Sequence, residues 1–235
     1  MSGWTAKRFW TAAVAEPLDG GFTVRLDAKP VKTPAKAPLL LPTRRMAEAI
    51  AAEWDAQQGV INPDTMPLTR AANSAIDKVG PHRDAVVGEI ANYAATDLLC
   101  YRATEPPALI ARQAQGWDPC LDWARDALGA PLTVTQGVIP IPQPAPSLAR
   151  LRAVVAEHSA FQLAALHDLV AISGSVVLGL AVARGHLGAA EAFDLSRIDE
   201  AWQIQQWGVD EEAAALEARR RDAMLIAERF FQLCG

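Results

Sequence analysis

Prolines constrain the first part of this sequence more tightly than any other residue type. Every fourth position from 30 to 42 is proline. Proline has no backbone N–H to donate in a helix interior or a central strand, so only short or edge strands fit between these positions. Residues 22–26 alternate between apolar and polar side chains after the turn signal Gly20-Gly21. We therefore predict that residues 7–41 form a small antiparallel sheet.

Helical patterns dominate the sequence after these prolines. Thr43 is a preferred N-cap residue, and apolar side chains follow it at helical spacing until Gly59. Residues 161–183 are almost entirely apolar, which is typical of helical structure buried in a core. The chain is therefore predicted to be an α+β protein. It has a small N-terminal antiparallel β-rich domain with helices, residues 1–90, followed by an all-α C-terminal helical domain, residues 91–235.

Proline and glycine also predict where several later elements begin and end. The triplet Glu105-Pro106-Pro107 must interrupt any helix. Asp118-Pro119 has the residue types of an N-cap and a first helical position, so a helix is predicted to begin there. Gln136-Gly137 lies between two short β-prone runs, and a hairpin is predicted around it.

Five of the seven tryptophans occupy positions at which the apolar periodicity places the core. They are Trp10, Trp54, Trp117, Trp123 and Trp202. A large aromatic side chain buries about 150–250 Å², which corresponds to roughly 4–6 kcal/mol at about 25 cal/mol per Å². Replacing one of them, as in Trp54→Ala or Trp54→Arg, is therefore expected to unfold or aggregate the protein.

The composition argues against several classes of function. Acidic residues outnumber basic residues by 27 to 22 and the net charge is −5, which gives no electrostatic reason to expect nucleic acid. The three cysteines have no CxxC or CxxH spacing, so buried thiols in a reducing compartment are expected rather than a zinc site or disulfides. The sequence shows neither a signal peptide nor the roughly 20 clean apolar residues of a membrane span. We expect a monomeric protein of the bacterial cytoplasm, with no cofactor, no metal, and no membrane or nucleic-acid partner.

Catalytic motifs are absent from the sequence. It contains no GxSxG, P-loop, GxGxxG or HExxH pattern. The best enzyme-like cluster is Asp97, Tyr101 and Arg102, near the junction of the two predicted domains, where small-molecule pockets often form. An alternative function is therefore a small-molecule enzyme with its site at this inter-domain hinge. The structural interpretation of the same residues is hydrogen bonding within the hinge.

An acidic segment follows the predicted end of the penultimate helix at Trp207-Gly208. Asp210, Glu211 and Glu212 stand where the last helix is predicted to begin. Carboxylates at a helix N-terminus cap its N–H groups and interact favourably with its dipole, which is one interpretation. The other interpretation is a partner-binding surface beside an exposed aromatic residue, a type enriched at protein interfaces.

Six segments, in a fixed order along nearly the whole chain, resemble one protein family. They are RFW from residue 8, LDAKPVKTPAKAPLLLPT from 26, AAEWDAQ from 51, MPLTRAANSAID from 66, TDLLCYRA from 96 with WDPCLDW from 117, and QQWGVDEE from 205. The family is the ATP synthase mitochondrial F1 complex assembly factor 2 family, which has bacterial members.

The resemblance implies a function for the chain. Members are chaperones without catalysis that hold the unassembled alpha subunit of the F1-ATPase transiently and prevent its aggregation until the beta subunit joins. The resemblance also implies that an acidic residue near Trp207 is tied to activity. It thereby favours Trp207, Asp210, Glu211 and Glu212 as the partner-binding residues.

Overall fold

The computed structural model describes residues 6–235. Its α-helices are α1 (Arg44–Asp55), α2 (Pro67–Ser74), α3 (Arg83–Asn92), α4 (Pro107–Leu128), α5 (Ala145–Ala156), α6 (Ala160–Ser173), α7 (Val176–Ala183), α8 (Ala189–Ser196), α9 (Ile198–Trp207) and α10 (Glu211–Gln232). Its strands are β1 (Ala13–Leu18), β2 (Gly21–Leu26), β3 (Lys29–Pro30), β4 (Tyr101–Arg102) and β5 (Thr135–Gln136). An antiparallel sheet at the N-terminal end is followed mainly by helices, which confirms the predicted α+β class.

The N-terminal sheet is antiparallel, in the order β1-β2-β3. β1 and β2 pair along their whole length across a tight turn at Gly20, whose φ is +81°. Glycine adopts such a backbone angle without the steric cost that a Cβ imposes. β3 contains only Lys29 and Pro30, because proline cannot donate to the ladder and ends the pairing. The proline spacing thus limits the strands to short lengths.

One compact unit consists of the described residues up to Arg83 together with Ser159–Ala165 and Arg229–Gly235. Within this unit α1 packs against β1 and β2 through its apolar face. Thr43 caps α1 as predicted, since its hydroxyl oxygen accepts an N–H of the first turn at 3.1 Å. The same hydroxyl donates to the Leu233 carbonyl oxygen at 2.5 Å, so the cap also binds the C-terminal residues.

The other compact unit consists of Asp84–His158 and Leu166–Glu228. α4 is its most connected helix and contacts α5, α7 and α9. Every residue of α7 from Val176 to Val182 is buried. Among residues 6–235, no helix has the length and apolar character needed to cross a membrane.

The apolar run 161–183 is divided into two helices. Gly174, with φ +71°, ends α6, and the Ser175 hydroxyl oxygen caps α7 by accepting an N–H of its first turn at 3.0 Å. A Cβ added to Gly179 would overlap the Val170 side chain. The two helices therefore approach each other closely only because glycine occupies this position.

The predicted helix start at Asp118-Pro119 is wrong. α4 begins at Pro107, in the predicted breaker, and continues through Pro119 to Leu128. Pro119 has no N–H to donate within the helix, and a proline inside a helix costs about 3 kcal/mol. Buried side chains on both sides of the proline, including Trp117 and Leu121, hold the helix together despite this loss.

The predicted hairpin around Gln136-Gly137 is also wrong. β5 pairs with β4 in parallel, with Tyr101 opposite Thr135 and Arg102 opposite Gln136. The Gly137 N–H donates to the Arg102 carbonyl oxygen at 2.8 Å, so this segment is held by a strand distant in sequence. Local turn chemistry does not reveal such a partner.

The tryptophan prediction is confirmed for three residues of five. Trp10, Trp54 and Trp117 are buried. Trp123 and Trp202 are only half-buried, so their predicted placement in the core is wrong. Trp123 instead stacks on the His186 ring at 4.9 Å between centroids. Trp202 lies in the middle of α9, directly before the exposed half of the helix.

Candidate partner-binding site

Residues 203–216 are all exposed, and we call this segment the arm. It comprises the end of α9, the connection at Gly208 and the first turns of α10. α9 ends at Trp207 as predicted, because Gly208 adopts φ +91° and its N–H donates to the Ile204 carbonyl oxygen at 2.9 Å. A long exposed helical segment of this kind is not explained by packing within the chain.

The arm carries four exposed large apolar side chains. They are Ile204, Trp207, Val209 and Leu216, with exposed fractions of 42%, 80%, 65% and 45%. The helical periodicity of the sequence places Leu216 on the inward face, and the structure shows that this is wrong. The inward face of α10 begins later, where Met224, Ala227 and Phe230 are buried.

Asp210 has a structural role at the start of α10. Its Oδ1 accepts the Ala213 N–H at 2.9 Å, and its carbonyl oxygen accepts the Ala214 N–H at 2.9 Å. This is the geometry of an N-cap, worth about 0.5–2 kcal/mol. The capping interpretation therefore holds for this carboxylate, whatever else it contacts.

Glu211 and Glu212 differ from Asp210. Both lie in the first turn of α10 and are exposed. Within residues 6–235, neither carboxylate forms an ion pair or an N-cap hydrogen bond. The helix dipole stabilises them by only about 0.3–1 kcal/mol each, so both remain available to a partner.

Ion pairs fix the segments that flank the arm. The Arg197 guanidinium lies 3.4 Å from the Glu217 carboxylate, and Arg221 lies 3.5 Å from Asp194. Within the arm itself, the Arg112 guanidinium donates to the Gln205 side-chain oxygen at 2.9 Å. These contacts hold α10 just after the arm and α9 at Gln205, and they leave Trp207, Glu211 and Glu212 exposed.

Asp97, the first residue of the enzyme-like cluster, is completely buried. Its oxygens accept the N–H groups of Leu99 at 3.1 Å and Val177 at 3.2 Å, and the Ser175 hydroxyl also bonds to it. Burial raises the pKa of this carboxyl to about 6, although these hydrogen bonds oppose the rise. Asp97 therefore caps a 3₁₀ turn and the start of α7, and no substrate can reach it without opening the unit.

The Arg102 side chain is bound to other partners, and the Tyr101 hydroxyl is enclosed. Arg102 is buried, donates to the Leu99 carbonyl oxygen at 3.0 Å and to Asp118 Oδ1 at 2.7 Å, and lies 5.3 Å from the Trp117 ring centroid. The Tyr101 hydroxyl is enclosed without a hydrogen-bond partner among the described residues. All three cluster residues lie inside the unit that begins at Asp84.

An open groove of about 420 Å³ lies elsewhere in the same unit. It is lined by Arg112, Gln115, Gly116, Glu191, Asp194, Leu195 and Ile198. None of the three enzyme-like residues lines this groove. The structure therefore does not join the cluster of Asp97, Tyr101 and Arg102 to this concave surface.

The cysteines have the properties of structural thiols. Cys100 and Cys120 are buried and Cys234 is half-buried. Burial raises their pKa values to about 12, 11 and 12 respectively, so the reactive thiolate is disfavoured at neutral pH. Within the described part of the chain, no group of three or more His, Cys, Asp or Glu side chains is arranged to hold a metal ion.

An exposed tryptophan beside unpaired carboxylates, on an α+β scaffold, is typical of a protein that binds another protein. Comparison with known proteins identifies the family. A family model described as ATP12 chaperone protein matches residues 7–125. The chain belongs to the ATP12 chaperone family, a family of F1-ATPase assembly chaperones. This finding confirms the membership predicted from the six sequence segments.

Individual relatives agree over nearly the whole chain. Protein atp12, mitochondrial, of Schizosaccharomyces pombe is 22% identical over 240 residues, which cover 97% of this chain and 82% of the relative. The crystal structure of Atp12 from Paracoccus denitrificans is 53% identical, covers 99% of this chain and 100% of its own, and superposes with a TM-score of 0.96. The Agrobacterium tumefaciens protein Atu1473 is 42% identical, covers 97% of this chain and 86% of its own, and has a TM-score of 0.93.

Proposed function

We propose that this protein is a cytoplasmic chaperone that binds the unassembled alpha subunit of the F1-ATPase and prevents its aggregation until the beta subunit joins. Membership of the ATP12 family supports a role in assembling the ATP synthase head. We further propose that Trp207, Asp210, Glu211 and Glu212 form the partner-binding site. In this role Asp210 maintains the start of α10, and the other three side chains contact the client.

The exposure of Trp207 is the observation that carries the proposed site. A solvated tryptophan is unfavourable unless a partner covers it, and tryptophan is among the residues most enriched in binding hot spots. Covering about 150–250 Å² of aromatic surface contributes roughly 4–6 kcal/mol before the costs of association are subtracted. Micromolar binding corresponds to about −8 kcal/mol. One such anchor with a few accessory contacts therefore suits a complex that the beta subunit can displace.

The surroundings of Asp97 favour a chaperone over the alternative enzyme. A catalytic acid or base must come within hydrogen-bond reach of its substrate. The Asp97 carboxylate is enclosed and already accepts main-chain N–H groups. It acts as a helix cap, and the Arg102 beside it is occupied by Asp118.

The proposal is tested by recovering the client with a tagged chaperone. The tagged protein is co-expressed with the alpha subunit or the beta subunit, and bound subunits are recovered on an affinity resin. Wild-type protein is expected to recover alpha and not beta. Trp207→Ala should lower the recovery of alpha at least 10-fold, since hot-spot truncations cost about 2 kcal/mol or more.

Val138→Ala provides the matched control for this variant. Val138 is also an exposed apolar residue, at 90%, but lies in the segment that follows β5. Its truncation should leave recovery of alpha unchanged. Equal recovery by wild-type protein and Trp207→Ala would contradict the proposed site, and recovery of neither subunit by folded wild-type protein would contradict the proposed function.

A further inference from the structure

The arm also indicates what kind of surface it binds, provided that the proposed function holds. We propose that the client presents an apolar pocket bordered by lysine or arginine side chains. Trp207 enters the pocket, while Glu211 and Glu212 pair with the basic border. The proposal assigns different roles to the aromatic and acidic parts of the arm.

The charge distribution of the sequence around the arm supports a basic partner. Residues 198–218 include six carboxylates and no lysine or arginine. Three of the six are occupied outside the arm: Asp199 accepts from Gln113 at 2.6 Å, Glu200 pairs with Arg197 at 2.8 Å, and Glu217 pairs with Arg197 at 3.4 Å. The remaining three lie together at the start of α10 and precede the arginines at 219–221, so the negative charge is concentrated in the first turn of this helix.

Internal contacts account for only one of these three remaining carboxylates. Asp210 caps α10 through the Ala213 N–H. Glu211 and Glu212 have no ion-pair partner among residues 6–235 and are free to act on another molecule. Three neighbouring like charges repel an acidic surface and attract a basic one, which is how electrostatic complementarity selects partners.

The proximity of Trp207 to these carboxylates decides between a basic pocket and a purely apolar one. Only Gly208, Val209 and Asp210 separate the tryptophan from Glu211. A surface that covers Trp207 therefore also desolvates the neighbouring carboxylates in part. Desolvated charges without partners are strongly unfavourable, so a favourable client surface must supply positive groups beside the pocket.

The backbone of the arm holds Trp207, Glu211 and Glu212 in a fixed arrangement. The φ of +91° at Gly208 and the Asp210 cap define the connection between α9 and α10. A connection that is ordered before binding loses less conformational entropy when the complex forms. The arm can therefore bind through few side chains and still release the client.

The test measures the affinity of purified alpha subunit for the chaperone at several NaCl concentrations between about 50 and 300 mM, a range over which charge pairs are progressively screened. Wild-type affinity is expected to fall as salt rises. The double variant Glu211→Gln with Glu212→Gln should bind about 3- to 10-fold more weakly at low salt and show little salt dependence. Glu211→Lys with Glu212→Lys should bind more weakly still.

A second charge reversal at exposed positions serves as the control. Asp19→Lys with Asp64→Lys changes the net charge by the same amount as the Glu-to-Lys pair, in the other compact unit. It should keep wild-type affinity and salt dependence. All variants should keep the wild-type circular dichroism spectrum, because the substituted side chains are exposed. The Glu211 and Glu212 variants should lower Tm only slightly, since the helix dipole stabilises each carboxylate by about 0.3–1 kcal/mol.

The possible results separate this inference from the proposed function. If alpha binds wild-type protein and the Glu-to-Gln pair equally at every salt concentration, the basic-border inference is wrong and the chaperone proposal stands. If the control weakens binding as much as the Glu-to-Lys pair, the effect belongs to net charge and the inference is again wrong. If folded wild-type protein does not bind alpha, both proposals fail.

Discussion

The buried carboxylate of Asp97 makes the stability of this protein depend on pH in a predictable direction. Its pKa is raised from 3.8 to about 6, chiefly because burial disfavours the charged form. Well below pH 3.8 the group is protonated in both folded and unfolded states. As pH rises, the unfolded chain loses this proton first, so the free energy of unfolding decreases until the folded state also ionises near pH 6.

The size of the effect follows from the pKa difference. A rise from 3.8 to about 6 corresponds to about 3 kcal/mol between the two limits. Of this, about 2 kcal/mol should be lost between about pH 4 and pH 7. That loss is large relative to a total stability of about 5–15 kcal/mol.

Replacing Asp97 with asparagine isolates this contribution. The Asp97→Asn side chain has nearly the same shape and cannot ionise. Its amide group places a donor near the N–H groups of Leu99 or Val177, which adds a pH-independent cost of about 1–3 kcal/mol. Other titrating groups contribute equally to both proteins and cancel in the difference between them.

The assay is urea unfolding of wild-type protein and Asp97→Asn at pH 4, 5, 6 and 7. We expect wild type to gain about 2 kcal/mol relative to the variant as pH falls from 7 to 4. Asp19→Asn, at an exposed turn position, should show no such trend relative to wild type. A difference between wild type and Asp97→Asn that stays constant across this range would refute the burial argument.

Three further predictions concern packing and exposure. Trp54→Ala should lower the free energy of unfolding by about 3–5 kcal/mol in urea titrations, because this side chain is buried. An unchanged Tm together with lost client binding would instead mean that Trp54 contacts the client. Gly179→Ala should lower the free energy of unfolding by about 1–3 kcal/mol, since its Cβ would overlap Val170. Gly188→Ala meets no atom but removes the N-cap glycine of α8, so it should cost only about 0.5–1 kcal/mol; a Gly179→Ala effect no larger than this would refute the close approach. Trp207→Ala should leave Tm unchanged, because its ring is exposed, and a clear drop in Tm would mean that the ring stabilises the fold.

Local chemistry makes part of the fold predictable. Thr43 satisfies an N–H of the first turn of α1, and Gly208 ends α9 with a positive φ, so each acts within one or two turns of its own position. Proline spacing similarly limits the N-terminal strands to short lengths, because each proline removes a donor at its own position. These signals depend only on neighbouring residues and on rules that hold in most contexts.

Long-range contacts explain the predictions that are wrong. Pro119 stands inside α4 because tertiary packing overrides its local preference. β5 pairs with the distant residues Tyr101 and Arg102 rather than forming its own hairpin. Periodicity places Leu216 inward, yet its side chain is exposed. Spacing alone gives the face of a helix but not whether another element packs on that face.

The residues of the candidate site could be predicted from the sequence, but the separate roles of its three acidic side chains could not. The sequence places Trp207 next to Asp210, Glu211 and Glu212, and the family resemblance indicates an acidic residue there. Only the hydrogen bond from the Ala213 N–H distinguishes Asp210, as a cap, from the two unpaired glutamates. Sequence patterns do not contain that distinction, because all three acids suit a helix N-terminus.

Light scattering by the purified alpha subunit shows whether this protein prevents alpha from aggregating. Denatured alpha is diluted into buffer under three conditions: without chaperone, with one equivalent of wild-type chaperone, and with one equivalent of the Trp207→Ala variant. The beta subunit is then added to each sample. We expect that wild-type chaperone suppresses aggregation, that Trp207→Ala does not, and that beta displaces the chaperone to form an alpha–beta complex. Equal aggregation of alpha with and without folded wild-type protein would show that the protein does not act as a chaperone for alpha.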